Sequence, residues 1–276
     1  MYIIAEIGIN HNGSIETALN MIKAAKEAGA NCVKFQKRNP DVCVPEDQKN
    51  KPRTFLGEEM TYLEYKKKLE FGREEYDQIN AFCKELQIAW TASVWDVDSV
   101  NFMLWYKNDI PFIKVPSALI TDKTLLKAID QTEIPILISN GMSTQEQTDE
   151  AIQSVNHLFG VMHCNSSYPS DVFELDLNVI KTYKTIYPGL MVGYSGHEEG
   201  YFPTCLAAAA GAQIIERHFT LDNEMEGTDQ KASLDTQAFS LMCADLKNIE
   251  LIMGNYLPKV YPSELEVAKK LRKEND

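Results

Sequence analysis

One feature constrains this chain most: a short apolar run, then a stretch with helical spacing, repeated eight times along 276 residues. The runs are YIIAEIG (2–8), NCVKFQ (31–36), IAWTAS (88–93), PFIKVPS (111–117), PILIS (135–139), LFGVMHC (158–164), LMVGYS (190–195) and AQIIERHF (212–219). After the first run, Ala18, Met21, Ile22, Ala25 and Ala28 recur at helical spacing, with Ser14 as the N-cap and Gly29 as the stop. Further helices are predicted over 73–86, 97–107, 121–131, 144–156, 175–186, 200–210 and 235–253. Strands that are apolar throughout suit a parallel sheet covered on both faces. Eight such units with right-handed crossovers close most economically into a (β/α)8 TIM barrel, with an open doubly wound sheet as the alternative.

The barrel is expected over 1–255. The stretch 256–276 reads as a polar, linker-like tail with no second folded domain after it. Hydrophobic residues make up 44% and charged residues 24%, the balance of a globular chain. Cys32, Cys43, Cys83, Cys164, Cys205 and Cys243 are scattered, several of them inside apolar runs, and read as reduced, mostly buried thiols. The start MYIIAEIGINHNG lacks a basic n-region and carries Glu6, so it does not read as a signal peptide. Nor is any stretch apolar over a membrane-spanning length. A formal net charge of −13 argues against nucleic-acid binding but leaves room for a small anionic ligand in a locally positive site. A soluble cytoplasmic protein is the expectation.

Residues 37–72 interrupt the pattern with an irregular stretch rich in Pro, Asp and Lys. Loops of that length are uncommon unless functional. At the C-terminal face of a barrel this one would form a lid or side wall, or else be a tolerated surface insertion.

The strands end in polar groups where apolar or turn residues are expected. Glu6 ends the first strand, with Asn10, His11 and Asn12 just beyond. Lys34 and Gln36 mark the second, Thr91 and Ser93 the third, Lys114 and Ser117 the fourth, Ser139 and Asn140 the fifth. His163 ends the sixth, followed by Asn165, Ser166 and Tyr168; Ser195 and His197 end the seventh, Glu216 and His218 the eighth. In a barrel these ends share one mouth, where active sites are built. A lysine inside an apolar strand is costly unless paired with an anion. Lys34 and Lys114, with Thr91, Ser117 and Ser139 nearby, therefore read as a pocket for a phosphate or carboxylate. The structural alternative is ion pairing with Glu6 or Glu216.

His197 and His218 fall on adjacent strand ends, with Glu216 and Asp229 close in sequence. Imidazole and carboxylate suit Mn2+, Fe2+ or Zn2+, and two protein ligands would leave positions open for substrate. His11 is a weaker candidate and His157 reads as surface.

At these same residues the chain resembles the sialic acid synthase family. The matching segments are AEIGINHNG (5–13), VKFQ (33–36), IKVPS (113–117), ISNGM (138–142), HCNSSYP (163–169), GYSGHEEG (193–200) and IERHFTLDNEMEGTD (215–229), with PSE (262–264) in the tail. The resemblance implies condensation of phosphoenolpyruvate with an aldose to a 2-keto-3-deoxy sugar acid, with release of phosphate. It implies that Lys34, Thr91, Lys114, Ser117, Ser139 and Ser195 hold phosphoenolpyruvate, and that Gln36, Ser93 and Ser166 complete the substrate site. By the same resemblance Glu6 lies beside the enolpyruvyl carbon, Tyr168 and Asp229 face the sugar, and Glu6, Lys34, Lys114 and Asp229 form the catalytic set. His197 and His218 would bind a divalent metal, usually Mn2+, and a homodimer is implied.

Three departures stand out. Leu119 takes the place of an acid in the family's GSGE-type turn, Gly196 interrupts its SDH turn, and Thr228 replaces a proline after Gly227. The chain also stops where the family's small antifreeze-like domain would begin, so an altered sugar, one without the N-acetyl group among them, is the expectation. A metal-dependent aldolase or lyase, and a non-catalytic binding barrel, are the alternatives from other classes.

Overall fold

Eight parallel strands close on themselves in the computed structural model, which describes residues 1–254 and 257–273. Along the chain, β1 (Tyr2–Gly8) leads through α1 (Ile15–Ala28) to β2 (Cys32–Lys37). Then come α2 (Pro40–Cys43), the hairpin β3 (Pro52–Phe55) and β4 (Glu58–Thr61), and α3 (Tyr62–Leu69). The repeat resumes with α4 (Arg73–Leu86), β5 (Ala89–Val94), α5 (Val97–Met103), β6 (Ile113–Val115), α6 (Lys123–Asp130) and β7 (Ile136–Ser139). It continues with α7 (Gln145–Gln153), β8 (Leu158–Cys164), α8 (Asn178–Ile186), β9 (Met191–Gly196), α9 (Phe202–Ala209), β10 (Ile214–His218) and α10 (Thr236–Met253). The barrel order is β1-β10-β9-β8-β7-β6-β5-β2, returning to β1. The (β/α)8 expectation holds, and the open sheet is excluded.

Every expected strand and helix of the repeat is present, most of them trimmed by one to four residues at an end. Ser14 caps α1 by accepting from the Thr17 amide, and Gly29 ends it in the left-handed region, as the sequence predicts.

Two layers fill the barrel. Ile4, Cys32, Phe112, Leu137, Met162 and Ile214 form an apolar plug at one end. Because side chains alternate along a strand, residues two positions further on face the same interior one layer higher. That step carries the lining from Ile4 to Glu6, from Cys32 to Lys34 and from Ile214 to Glu216. The cross-strand register sets Glu6 beside Lys34 and His218, and Ser195 beside Glu216. A polar layer thus lies on a dry floor.

Residues 37–72 are more ordered than the sequence predicts. Leu56 and Gly57, both at positive φ, close the tight hairpin turn between β3 and β4. Phe55, Tyr65 and Leu69 bury themselves with Ile9 of the first strand–helix loop. The Leu56 amide donates to Glu226 Oε2 at 2.9 Å, tying the hairpin to the loop after β10. The insertion is therefore a small folded wall beside the mouth. Its turn carries Leu-Gly, which lacks the Asn-Gly or Asp-Gly signature that would betray a hairpin.

In the tail, α11 (Leu265–Leu271) is exposed along nearly its whole length. The expected domain boundary falls on Asn255 and Tyr256, outside the described residues. All six cysteines are free thiols, four of them buried. Among the described residues no helix is long and apolar enough to cross a membrane.

Candidate active site

Of the fourteen residues that the resemblance assigns to the site, twelve line one cavity at the C-terminal mouth of the barrel. They are Glu6, Lys34, Gln36, Ser93, Lys114, Ser117, Ser139, Ser166, Tyr168, Ser195, His197 and His218. Thr91 and Asp229 are not in the lining. The Thr91 hydroxyl is buried and donates to the Phe112 carbonyl, one layer below Ser93. Asp229 stands in the loop after β10, with Oδ2 3.9 Å from His218 Nδ1.

The floor carries two buried cations and two buried carboxylates. Lys34 pairs with Glu6, donates to Ser93 Oγ at 2.7 Å and lies 3.8 Å from Glu216. Lys114 donates to both Glu216 oxygens at 3.1 and 3.2 Å, and Ser195 Oγ donates to Glu216 at 3.0 Å. The two sequence readings of these lysines, anion pocket and ion pair, coexist: the lysines are paired and line the cavity. Glu216, seen in the sequence only as a counter-ion or a metal neighbour, is the hub of this floor.

The carboxylates are pushed apart. Burial raises the Glu6 carboxyl above its ordinary value, with Lys34 opposing the rise and Glu216 adding to it. For Glu216, burial is outweighed by the charges of Lys114 and Lys34 and by hydrogen bonds from Lys114 and Ser195, which bring it down to about 2. Glu216 therefore stays ionised, while Glu6 is the more basic of the two.

Above the floor, the His197 and His218 rings lie 5.5 Å apart and the Tyr168 ring 4.0 Å from His197. His197 Nδ1 is 2.6 Å from the Asn165 carbonyl, which assigns the proton to Nδ1, and Nε2 then accepts from the Tyr168 hydroxyl at 2.8 Å. Burial, with the charge of His218 next, pushes His197 down to about 3, so the ring is neutral at pH 7. His218 Nδ1 is buried without a hydrogen-bond partner.

These features fit a divalent ion: a neutral imidazole oriented by a carbonyl, an orphaned imidazole nitrogen, and a carboxylate beside it. Among the described residues no group of three or more His, Cys, Asp or Glu is gathered as a complete ligand set; an ion held by His197 and His218 would have positions open for water or substrate.

Several polar strand-end residues serve the scaffold. The His11 ring stacks on Phe71 at 4.0 Å, and His163 Nε2 is 2.6 Å from the Leu175 carbonyl. Asn10 Nδ2 donates to the Phe219 carbonyl and Ser233 Oγ at 2.9 and 2.8 Å, and Asn140 bonds the Tyr183 hydroxyl. His157, read as surface, pairs with Asp130 at 3.0 Å near solvent. Leu119, read as standing where a sugar-facing acid belongs, packs against the core, and Ser117 and Ala118 are the members of its turn that face the cavity. Trp95, Met142 and Cys164 also line the cavity; Met142 and Cys164 fall inside the segments ISNGM and HCNSSYP but neither was singled out there, and nothing in its local sequence marks Trp95.

A β/α barrel with buried lysines, hydroxyls and a histidine pair at its mouth defines an enzyme acting on a small anionic molecule. The NeuB family model matches residues 21–257. The chain belongs to the NeuB family. It is 37% identical over 278 residues to the N-acetylneuraminate-9-phosphate synthase of Drosophila melanogaster, covering 98% of this chain and 72% of that protein. It is 32% identical to the N,N'-diacetyllegionaminic acid synthase of Campylobacter jejuni, covering 98% and 83%. The crystal structure of an N-acetylneuraminic acid synthetase from Leptospira borgpetersenii, in complex with citrate, superposes with a TM-score of 0.86 at 28% identity, over 99% of this chain and 93% of that one. Enzymes of the family are generally metal-dependent.

Proposed function

We propose that this barrel condenses phosphoenolpyruvate with an aldose of the N-acylmannosamine type, giving a 2-keto-3-deoxy sugar acid and phosphate. The observation that carries this reading is the buried Lys34–Glu6 and Lys114–Glu216 floor beneath His197 and His218 in one cavity. Lys34 and Lys114 hold the phosphate and carboxylate of phosphoenolpyruvate, with Ser93, Ser117, Ser139 and Ser195 as neutral donors. A divalent ion at His197 and His218, Mn2+ by the family resemblance, supplies Lewis-acid polarisation of the acceptor aldehyde when bound.

The enolpyruvyl C3 forms a bond to the aldehyde carbon, and the aldehyde oxygen gains a proton. Water adds at C2, and the C2–O bond to phosphate breaks as the keto group forms. Glu6, made more basic by burial, takes the proton of that water. Tyr168 keeps its hydroxyl proton, since burial raises it far above the working pH, and orients His197 and the sugar. Asp229, at the rim, is the acceptor for a sugar hydroxyl. The catalytic unit is the barrel over 1–255, working in the cytoplasm as a homodimer.

The test is phosphate release from phosphoenolpyruvate and Mn2+ with a panel of aldoses, N-acetylmannosamine, mannose and arabinose among them. Release that depends on the aldose and on the ion is expected. Aldose-independent hydrolysis, or no release with any aldose, would exclude the synthase.

A further inference from the structure

We propose that Gln230 is a positioning residue: with Asn12 and Gly227 it sets the loop after β10 so that Asp229 meets the acceptor aldose at the rim of the cavity. The inference rests on the synthase activity and the role of Asp229 given above. Gln230 is 1% exposed although it stands in a rim loop, at the start of a single 3-10 turn over Gln230–Ala232. A buried amide needs partners for both its donor and its acceptor.

Gln230 finds them in the rim itself. Nε2 donates to the Glu226 carbonyl at 3.1 Å and to Asn12 Oδ1 at 3.3 Å, and Oε1 accepts from the Asp229 amide at 3.3 Å. Asn12, from the loop after β1, closes the ring by donating from Nδ2 to the same Glu226 carbonyl at 2.8 Å. The Glu226 side chain accepts the Leu56 amide, so the ring joins the first loop, the β3–β4 hairpin and the loop after β10. Two backbone positions permit it. Asn12 takes a φ of 53°, in the left-handed region. Gly227 takes a φ of 154°, and a Cβ there would stand 2.1 Å from Gln230 Oε1 and 2.4 Å from Nε2. A methyl group at 227 would push the amide off its partners.

The consequence falls on Asp229. Gln230 holds its amide, its carbonyl accepts from Ser233 Oγ at 2.7 Å, and its Oδ1 accepts from Thr228 Oγ1 at 2.6 Å. Oδ2 is then turned to the mouth, 3.9 Å from His218 Nδ1. A carboxylate carried on a loop needs this fixing, because a misplacement of about 1 Å is enough to impair a reaction. The residue type matters. Glu at 230 would set an oxygen against the Glu226 carbonyl and Asn12 Oδ1, and an apolar side chain would offer no donor.

Gln230→Met keeps length and bulk but deletes the amide, and Asn12→Gly deletes its partner without opposing the positive φ. Each is expected to raise KM for the best acceptor of the aldose panel about tenfold, with KM for phosphoenolpyruvate within about twofold of the wild type. In an Asp229→Ala background Gln230→Met should add no further loss, because a residue acting through Asp229 has nothing left to position. Unchanged acceptor KM, equal rises in both KM values, or full additivity with Asp229→Ala overturns the proposal. Hydrogen exchange over 221–234 needs no turnover, and its amides should exchange about tenfold or more faster in both variants. Unchanged exchange overturns the brace. If no aldose turns over, the synthase reading fails by itself, and the exchange result alone decides whether Gln230 holds Asp229.

Discussion

Arg217 Nη1 donates to Glu198 Oε1 at 2.9 Å with both side chains wholly buried, and each residue is the chain neighbour of a cavity histidine. Glu198 follows His197 and Arg217 precedes His218. The guanidinium also donates to the Gly200 and Glu198 carbonyls, each at 2.7 Å, and to Thr204 Oγ1 at 2.8 Å, while the Tyr194 hydroxyl donates to Glu198 Oε2 at 2.8 Å. The network locks the end of β9 to β10 from outside the barrel. Arg217→Met leaves Glu198 buried without its cation and should cost about 3–5 kcal/mol. Glu198→Leu with Arg217→Met should recover much of that loss in urea denaturation. Glu198→Gln keeps the shape and should weaken Mn2+ binding about tenfold. An unchanged Mn2+ titration would limit the pair to a structural role.

The histidine pair gives the second prediction. His197→Ala and His218→Ala should each abolish condensation and weaken Mn2+ binding to the metal-free protein more than tenfold, while leaving unfolding stability within about 2 kcal/mol. EDTA should inactivate the wild type, and Mn2+ should restore it. Full turnover in chelator, or in either variant, removes the metal role.

Lys114→Met tests the anion floor. The change keeps length and apolar bulk but deletes the charge that would face phosphoenolpyruvate. A loss of about 2–3 kcal/mol in kcat/KM for phosphoenolpyruvate is expected. Glu216 then keeps Ser195 at 3.0 Å and Lys34 at 3.8 Å as partners, so the fold should survive. Unchanged kinetics would make Lys114 a structural ion-pair residue alone.

Gly141 supplies the fourth. A Cβ there would stand 2.1 Å from Ser166 Oγ and 2.9 Å from Ser117 Oγ, and the Gly141 amide donates to that same Ser117 oxygen at 3.0 Å. Gly141→Ala must displace two cavity hydroxyls. It should lower kcat/KM about tenfold or more, a loss on the scale of one or two displaced hydrogen bonds. Wild-type kinetics would mean that neither hydroxyl touches substrate.

Most of the barrel was legible because each run is apolar on both faces and each helix repeats at its own period. Lys34 and Lys114 were legible because a lysine inside such a run needs an anion. Thr91 was misplaced because alternation tells which face a side chain takes but not which layer, and Thr91 lies one layer under Ser93. Leu119 packs against the core, a direction that matching a family turn by position does not give. Glu216 gained its importance only across strands, from Lys114 on β6, Ser195 on β9 and Lys34 on β2. The folded wall over 37–72 stayed hidden because its hairpin, with Leu56 and Gly57 at the turn, lacks a strong turn signature.

His11 gives a prediction independent of catalysis. Its ring is buried against Phe71, accepts the Gly13 amide at Nδ1 at 3.1 Å, and is pushed by burial from 6.5 to about 3. The folded protein therefore keeps His11 neutral where the unfolded chain protonates it. A depressed folded pKa means stability that is fully present above about pH 6.5 and is lost as pH falls toward 3. The contribution is about 1.4 kcal/mol per pH unit inside that window. Glu6, raised in the folded state, acts in the opposite direction and offsets part of the slope. His11→Asn retains an acceptor for the Gly13 amide but does not titrate. Urea denaturation at pH 6.5 and pH 5 should show wild-type stability falling more than that of the variant, by about 2 kcal/mol. Equal pH dependence in the two proteins would mean that His11 is protonated in the folded state and that its stacking on Phe71 does not keep it neutral.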